Sequence, residues 1–260
     1  MRTLLVLLAL CTAPVQAETL DLFVLAGQSN MQGWMGDASG YPPDPENLDR
    51  SIRFWWQTPG YGSSRGKWTY LMPQGGRFAK GHFGPEVTFA RDLAKAQFRP
   101  AVFKYSLTAT SLAYDWRAPG EGGLYDRMVA ALETAIRLLE GEGHTVKFRC
   151  LVWIQGESDA KTEEATARYQ DHLRVLIAHF REHVARDRRL PVILGVDEHN
   201  PYVMQRPSIV ESQKKLAETN PQIAFTSMTG LPKADATHLT PAGVIAHGHR
   251  LFVAFRQLSP

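Results

Sequence analysis

Apolar residues along this chain come in two rhythms. Residues 20–26 (LDLFVLA) form a continuous apolar run broken by one Asp, the pattern of a strand buried on both faces of a sheet. Runs of the same kind recur at residues 101–105, 148–154, 192–196 and 223–227. Between them the apolar spacing lengthens to that of a helix. Residues 85–97 place Val87, Ala90, Leu93 and Ala94 on one face, with Pro85 at an early position. Residues 125–140 align Met128, Leu132, Ala135, Ile136 and Leu139. Further helices are expected at 162–186, 207–219 and 241–257. Strands that alternate with helices predict an α/β domain with one parallel sheet of five strands, covered by helices on both sides. With no internal repeat and no low-complexity linker, residues 18–260 read as one domain.

One stretch breaks the rhythm. Residues 33–84 are about fifty residues rich in Gly, Pro and aromatics, too long for a plain connection between a strand and a helix. Segments 52–57 and 67–71 are expected to form a small side hairpin there. Trp34, Trp55, Trp56 and Trp68 lie in this insertion. They either pack it onto the domain, or one or two of them line a sugar site, since a flat aromatic face matches the apolar face of a pyranose.

Composition narrows the classes. The 260 residues are 44% hydrophobic and 21% charged, which excludes a disordered or collagen-like chain. A formal charge of +3, from 29 basic and 26 acidic residues spread along the chain, gives no reason to expect a nucleic-acid partner. The first seventeen residues form a separate unit. Arg2, the apolar run 4–10 and the small-residue ending Val15-Gln16-Ala17 read as a secretory signal cut after Ala17, hence a secreted or periplasmic protein. The run is well short of the roughly 20 residues that span a bilayer, so no membrane attachment of the mature chain is expected. Cys11 leaves with the signal, and Cys150, inside an apolar run, reads as a buried inert thiol. Without CxxC or HExxH, no metal site or other cofactor is expected. His172, His179 and His183 read as a wet, charged helix face rather than a metal stripe.

The chemistry-bearing residues all follow strands, where parallel α/β sheets bind ligands. Gly27-Gln28-Ser29-Asn30-Met31 comes directly after the first strand: Gly27 permits a tight turn and Ser29 then stands at the sheet edge. Asp235-Ala236-Thr237-His238 lies just before the last helix, with Thr240 and Pro241 as cap and first turn. That spacing lets the carboxylate accept from His238 Nδ1 and leaves Nε2 free to take a proton from a serine. By itself the pair reads as structural. Trp153-Ile154-Gln155-Gly156-Glu157-Ser158-Asp159 offers the Gln155 amide as a donor to an oxyanion, and Thr108-Ala109-Thr110 offers a backbone N–H.

Taken together these stretches resemble the SGNH-hydrolase superfamily, in the branch of sialate O-acetylesterases and acetylxylan esterases (carbohydrate esterase family six). The resemblance is carried by GQSNM at 27–31, GPEVTFARDL at 84–93, TAT at 108–110, WIQGESD at 153–159 and DATHLTPAG at 235–243, and spans nearly the whole mature chain. It implies a three-layer α/β/α, flavodoxin-like fold and metal-free, serine-dependent removal of acetyl groups from carbohydrates. By position, Ser29 is the nucleophile, His238 the general base and Asp235 its orienter. The oxyanion hole comprises the Ser29 N–H, the Thr108 N–H and the Gln155 side chain. Glu157 is a possible support, orienting His238 or buttressing Gln155. The branch usually carries Gly-Gly-Thr where this chain has Thr108-Ala109-Thr110. A backbone N–H survives that change, but a positive φ becomes costly and the acyl pocket narrows. Two other readings stay open: an α/β-hydrolase elbow with Ser158 as nucleophile, where Ala160 replaces the final Gly of G-x-S-x-G, and a non-catalytic glycan-binding protein on an esterase scaffold.

Overall fold

In the computed structural model the described residues are 18–258, so the expected signal at 1–17 lies outside them. The elements follow in the order β1 (Thr19–Gly27), α1 (Ser29–Gln32), β2 (Arg53–Thr58), β3 (Gly62–Ser63), β4 (Thr69–Tyr70), α2 (Glu86–Lys95), β5 (Pro100–Ser106), α3 (Leu124–Gly141), β6 (Thr145–Ile154), α4 (Glu163–His179), β7 (Val192–Val196), α5 (Pro201–Gln205), α6 (Ser208–Thr219), β8 (Ile223–Ser227) and α7 (Pro241–Leu258). A π-helical turn, Leu112–Trp116, follows β5. Among the described residues no helix is long and apolar enough to cross a membrane.

The sheet runs β3-β2-β5-β1-β6-β7-β8, with β4 also on β2. All five strands expected from the apolar runs are present and pair in parallel. β1 shows why its run is continuous. Leu22, Val24 and Ala26 enter one core, and Phe23 and Leu25 enter the other, so both faces are covered. Helices α3, α4 and α6 bury Met128, Leu132, Tyr169, Leu173 and Ile209 on the first side. Helices α2 and α7 bury Phe89, Leu93, Leu251 and Phe255 on the second. Cys150 is a buried free thiol, and burial pushes its pKa well up.

The insertion departs from expectation. Residues 53–58 form a sixth parallel strand, paired along β5 from Arg53 against Ala101 to Gln57 against Tyr105. The expected antiparallel pairing of the two segments is present as well, Arg53 against Tyr70 and Phe54 against Thr69, with β3 also on β2. The cause is burial on both faces: Trp55 packs into one core while Phe54 and Trp56 pack into the other. A free hairpin would leave one of those faces in water.

Sheet order reverses around β1, with β5 and β2 on one side and β6, β7 and β8 on the other. The crevice beyond the carboxyl ends of β5, β1 and β6 is therefore the switch point where such sheets hold ligands. Gly27, at the end of β1, has φ 145°, and a Cβ there would lie 2.0 Å from the Ile154 carbonyl oxygen on β6. Only glycine lets the chain turn so close to its neighbour.

Candidate active site

Ser29 opens the single turn of α1 at this crevice. The Gln28 N–H donates to Ile154 O at 2.9 Å and the Leu107 N–H to Gly27 O at 3.1 Å, which ties β6, β1 and β5 together where they end. Ser29 is 1% exposed and lines a cavity of about 410 Å³. A buried ion pair supports the turn from below. Lys104 Nζ donates to Glu86 Oε2 at 2.7 Å and to the Gln32 carbonyl at 3.1 Å, while Glu86 Oε1 accepts from Gln74 Nε2 and the Gly84 N–H, each at 2.8 Å. Both charged side chains are fully buried. The GPE segment thus fixes the C-terminal end of the serine's turn.

His238 lines the same cavity from the loop before α7. One carboxylate shapes that loop. Asp235 Oδ1 accepts the N–H groups of Thr237 and His238, both at 2.7 Å, and Oδ2 lies 2.8 Å from His238 Nδ1. The three-residue spacing therefore yields an Asx-type turn and an oriented ring at once. Partial burial pushes the Asp235 carboxyl up, but the hydrogen bonds from His238 and Thr237 outweigh it and hold the pKa below its ordinary value. The loop is anchored from three directions. Asn30 Nδ2 donates to Thr237 O at 3.0 Å and Asn30 Oδ1 accepts the Leu239 N–H at 3.2 Å. Lys233 Nζ bridges Asp197 Oδ2 at 2.6 Å and Ala236 O at 2.7 Å. Asn200 Nδ2 donates to Thr237 Oγ1 at 3.2 Å. Thr240 caps α7 by accepting the Gly243 N–H at 3.1 Å. Ser29 and His238 share the cavity without a direct hydrogen bond, as is frequent before substrate closes a site.

The expected oxyanion donors are arranged differently. The Thr108 N–H donates to Gln32 Oε1 at 3.0 Å. Gln155 is fully buried and stands behind the cavity wall; its Nε2 donates to Thr110 O at 3.0 Å and Asp159 Oδ2 at 2.5 Å. With both amide hydrogens held, Gln155 is not an oxyanion donor in this arrangement. Its partner Asp159 also accepts the Leu112 and Ala113 N–H groups, at 2.7 and 3.0 Å. The Gln155–Asp159 pair therefore bolts the π-helical turn after β5 to the end of β6. Burial raises the Asp159 carboxyl above its ordinary value, partly offset by the bonds from Gln155, Leu112 and Ala113. Ala109 lines the cavity with φ 59°, so the left-handed backbone that the Thr-Ala replacement makes costly falls on Ala109. No hydrogen bond of the described residues involves the Ala109 N–H. Gln28 also lines the cavity, and its buried Oε1 has no partner among the described residues.

Glu157 lines the cavity as well. Its Oε1 accepts the Asp197 N–H at 3.2 Å and its Oε2 is buried without a partner among the described residues. Burial, with the nearby Asp197 charge, raises its pKa to about 7. It neither orients His238, whose Nδ1 faces Asp235, nor bonds Gln155, so neither expected supporting role applies. Ser158 is in the cavity wall with φ −76° and ψ −31°, ordinary helical angles rather than the strained turn of a nucleophile elbow.

Of the four insertion tryptophans, Trp34 reaches the cavity. Trp55 and Trp56 are core residues, and Trp68 donates its Nε1–H to Ala135 O at 2.8 Å. The Trp34 ring centroid lies 6.3 Å from that of His238 and 5.7 Å from Tyr61, edge to face, with the Arg77 guanidinium 3.6 Å above it. Lys161, Tyr202 and Asn200 also line the cavity, with Lys161 Nζ 5.7 Å from the Tyr202 centroid. Tyr61, Lys161, Tyr202 and the anchoring roles of Asn30 and Gln32 carry no local signal in the sequence. Asn200 lies in the 197–200 segment that follows a strand, which does mark it as close to the site.

Solved structures with this fold include a protein from Arabidopsis thaliana, with 22% identity, a TM-score of 0.69, and coverage of 91% of this chain and 97% of that one. NanS is similar at 16% identity and a TM-score of 0.61, covering 92% of this chain and 97% of that one. A carbohydrate acetylesterase from Xanthomonas citri matches at 16% identity and a TM-score of 0.58, over 92% of this chain and 56% of that chain. These likenesses establish the three-layer fold. No curated protein sequence matches the chain. The profile of one family, described as carbohydrate esterase, sialic acid-specific acetylesterase, matches residues 19–257. The chain thus belongs to the sialic acid-specific acetylesterase family of carbohydrate esterases, which are carboxylic ester hydrolases.

Proposed function

We propose that this protein is an exported, serine-dependent carbohydrate O-acetylesterase working through an acyl-enzyme. The observation that carries the reading is one cavity lined by both Ser29 and His238, with Asp235 on the imidazole Nδ1. Ser29 Oγ attacks the acetyl carbonyl while His238 Nε2 takes its proton. The tetrahedral oxyanion is met by the N–H groups of Ser29 and Ala109, the second replacing Thr108, whose N–H is held by Gln32. Collapse breaks the bond to the sugar oxygen, which leaves with the proton from His238. Water, deprotonated by His238, then attacks the acetyl-serine; acetate departs and Ser29 recovers its proton. The rings of Trp34, Tyr61 and Tyr202 offer apolar faces to a pyranose. The leader at residues 1–17 supports action in the periplasm or outside the cell.

Acetate release from an aryl acetate and from O-acetylated sugars tests this. Ser29→Ala should lower kcat by about a thousandfold or more with an unchanged circular dichroism spectrum, while Ser158→Ala retains activity. Near wild-type turnover in Ser29→Ala would falsify the assignment. Glycan binding without acetate release by the wild type would make the chain a binding protein instead.

A further inference from the structure

The segment after β5 is built more strictly than a connection requires. Arg117, just past the π-helical turn, has φ 59° and ψ 172°, a backbone region occupied almost solely by glycine. Its surroundings hold it there. The Arg117 N–H donates to Leu112 O at 2.9 Å, and the buried Trp116 next to it donates Nε1–H to Thr110 Oγ1 at 3.0 Å. Asp115 Oδ2 accepts both the N–H and the hydroxyl of Ser111, at 2.7 and 2.9 Å. The glycine-rich loop that follows is also ordered, because Asp126 accepts the N–H groups of Gly120 and Gly122 at 2.9 and 2.7 Å. At Gly123 a Cβ would lie 2.1 Å from the Trp116 carbonyl oxygen, so the loop closes directly on the turn. Strained backbone held by this many bonds, next to a π-helical turn, is the kind of construction found at functional sites.

This construction lines a groove of about 240 Å³ with Pro59, Leu107, Tyr114, Asp115, Arg117 and Arg127. The groove adjoins the catalytic cavity, since Leu107 lines one and its neighbour Thr108 lines the other, as do Pro59 and Tyr61. Arg117 Nε donates to Tyr114 O at 2.9 Å and Arg127 Nε to Gly123 O at 3.4 Å. The terminal guanidinium nitrogens of both form no hydrogen bond or ion pair among the described residues. Asp115 is the one acidic side chain in the lining, and its Oδ2 is already held by Ser111. The Tyr114 ring is 48% exposed and is fixed by its hydroxyl on Glu164 at 3.2 Å.

We propose that this groove is a second sugar subsite that binds an anionic unit, carboxylated or sulfated, adjoining the acetylated sugar of the same oligosaccharide. Tyr114 offers the stacking face, and Arg117 and Arg127 bind the anion through the paired, charge-assisted donors that guanidinium groups present. The proposal rests on the esterase reading and deepens it: the substrate is an acidic oligosaccharide, and its charge is read outside the catalytic cavity.

The test uses full-length enzyme and three O-acetylated oligosaccharides of one backbone. One bears a uronic acid next to the acetylated unit, one bears a sulfate there, and one is neutral because its carboxyl has been reduced. Acetate release from the neutral oligosaccharide and from an aryl acetate tests the esterase reading alone. The ratio of kcat/KM for acidic over neutral substrate tests the subsite. The wild type should prefer at least one acidic substrate by about tenfold or more, through KM, and the preference should shrink with added salt. Whichever anion is preferred identifies the ligand. Arg117→Gly, which relieves the strained backbone, and Arg127→Met, on an exposed helix face, should each bring the ratio close to one. If the wild-type ratio is already near one, or both variants keep the preference, the proposal is overturned. It is also overturned if an acetylated acidic monosaccharide loses as much from these variants, since the anion would then be read at the acetylated sugar itself.

Discussion

Glu157→Gln should make the protein more stable at alkaline pH and leave it unchanged in acid. In the fold the Glu157 carboxyl climbs from an ordinary 4.5 to about 7, chiefly through burial and secondarily through the Asp197 charge. The folded state therefore keeps a proton that the unfolded chain has already released. Stability falls as pH rises from 4.5, and the loss is complete above about 7. Each pH unit is worth ~1.4 kcal/mol, so the loss at pH 8 comes to about 3 kcal/mol. Because the group is 3% exposed, water screens little of it. Glutamine keeps an oxygen for the Asp197 N–H, which lies at 3.2 Å, and mimics the protonated acid elsewhere. Urea unfolding of wild type and variant between pH 4 and pH 8.5 reads the difference directly, with groups far from Glu157 cancelling. The expected gap grows from near zero at pH 4 to about 3 kcal/mol at pH 8, or roughly 6–12 °C in Tm. A gap that does not vary with pH, or a variant weaker at pH 8, would show that the buried carboxylate is compensated and that this reasoning is wrong.

Two other perturbations follow from the supports of the site. Lys104→Met leaves Glu86 buried without its cation and should cost about 3–5 kcal/mol in chemical denaturation, most of it recovered in the Lys104→Met, Glu86→Gln double variant; a loss below about 1 kcal/mol would mean that water or a neighbour compensates the charge. Asn30→Ala removes both side-chain bonds that hold the His238 loop against the serine turn. Steady-state kinetics on an aryl acetate should show kcat down by about tenfold or more with KM little changed, since roughly 1.4 kcal/mol of misplacement costs a factor of ten; a raised KM with normal kcat would instead make Asn30 a substrate contact.

Much of this protein is legible from local pattern. Runs such as residues 20–26 announce buried parallel strands because covering both faces removes the polar alternation, and helical spacing announces the layers above and below. The Asp235–His238 pairing is legible too, since the spacing that makes the turn also orients the ring. The fate of residues 53–58 is not, because a strand that pairs in parallel at a sheet edge and a strand of a local hairpin have the same composition. What settles it is burial of Trp55 and Trp56 against partners far along the chain.

The amino-acid order alone determines which residue types stand at the carboxyl ends of the strands, because strand and turn formation depend on neighbours a few positions away. Only the tertiary structure decides which of their hydrogen-bonding groups are left for a substrate. Gln155 and Thr108 fit the oxyanion role by type, yet the N–H groups of both are held, by Thr110 and Asp159 in one case and Gln32 in the other. The Ala109 N–H has no hydrogen-bond partner among the described residues, and Ala109 lines the cavity. A buried donor must find an acceptor wherever the fold brings one, and the free donors of a site are those for which folding supplies none.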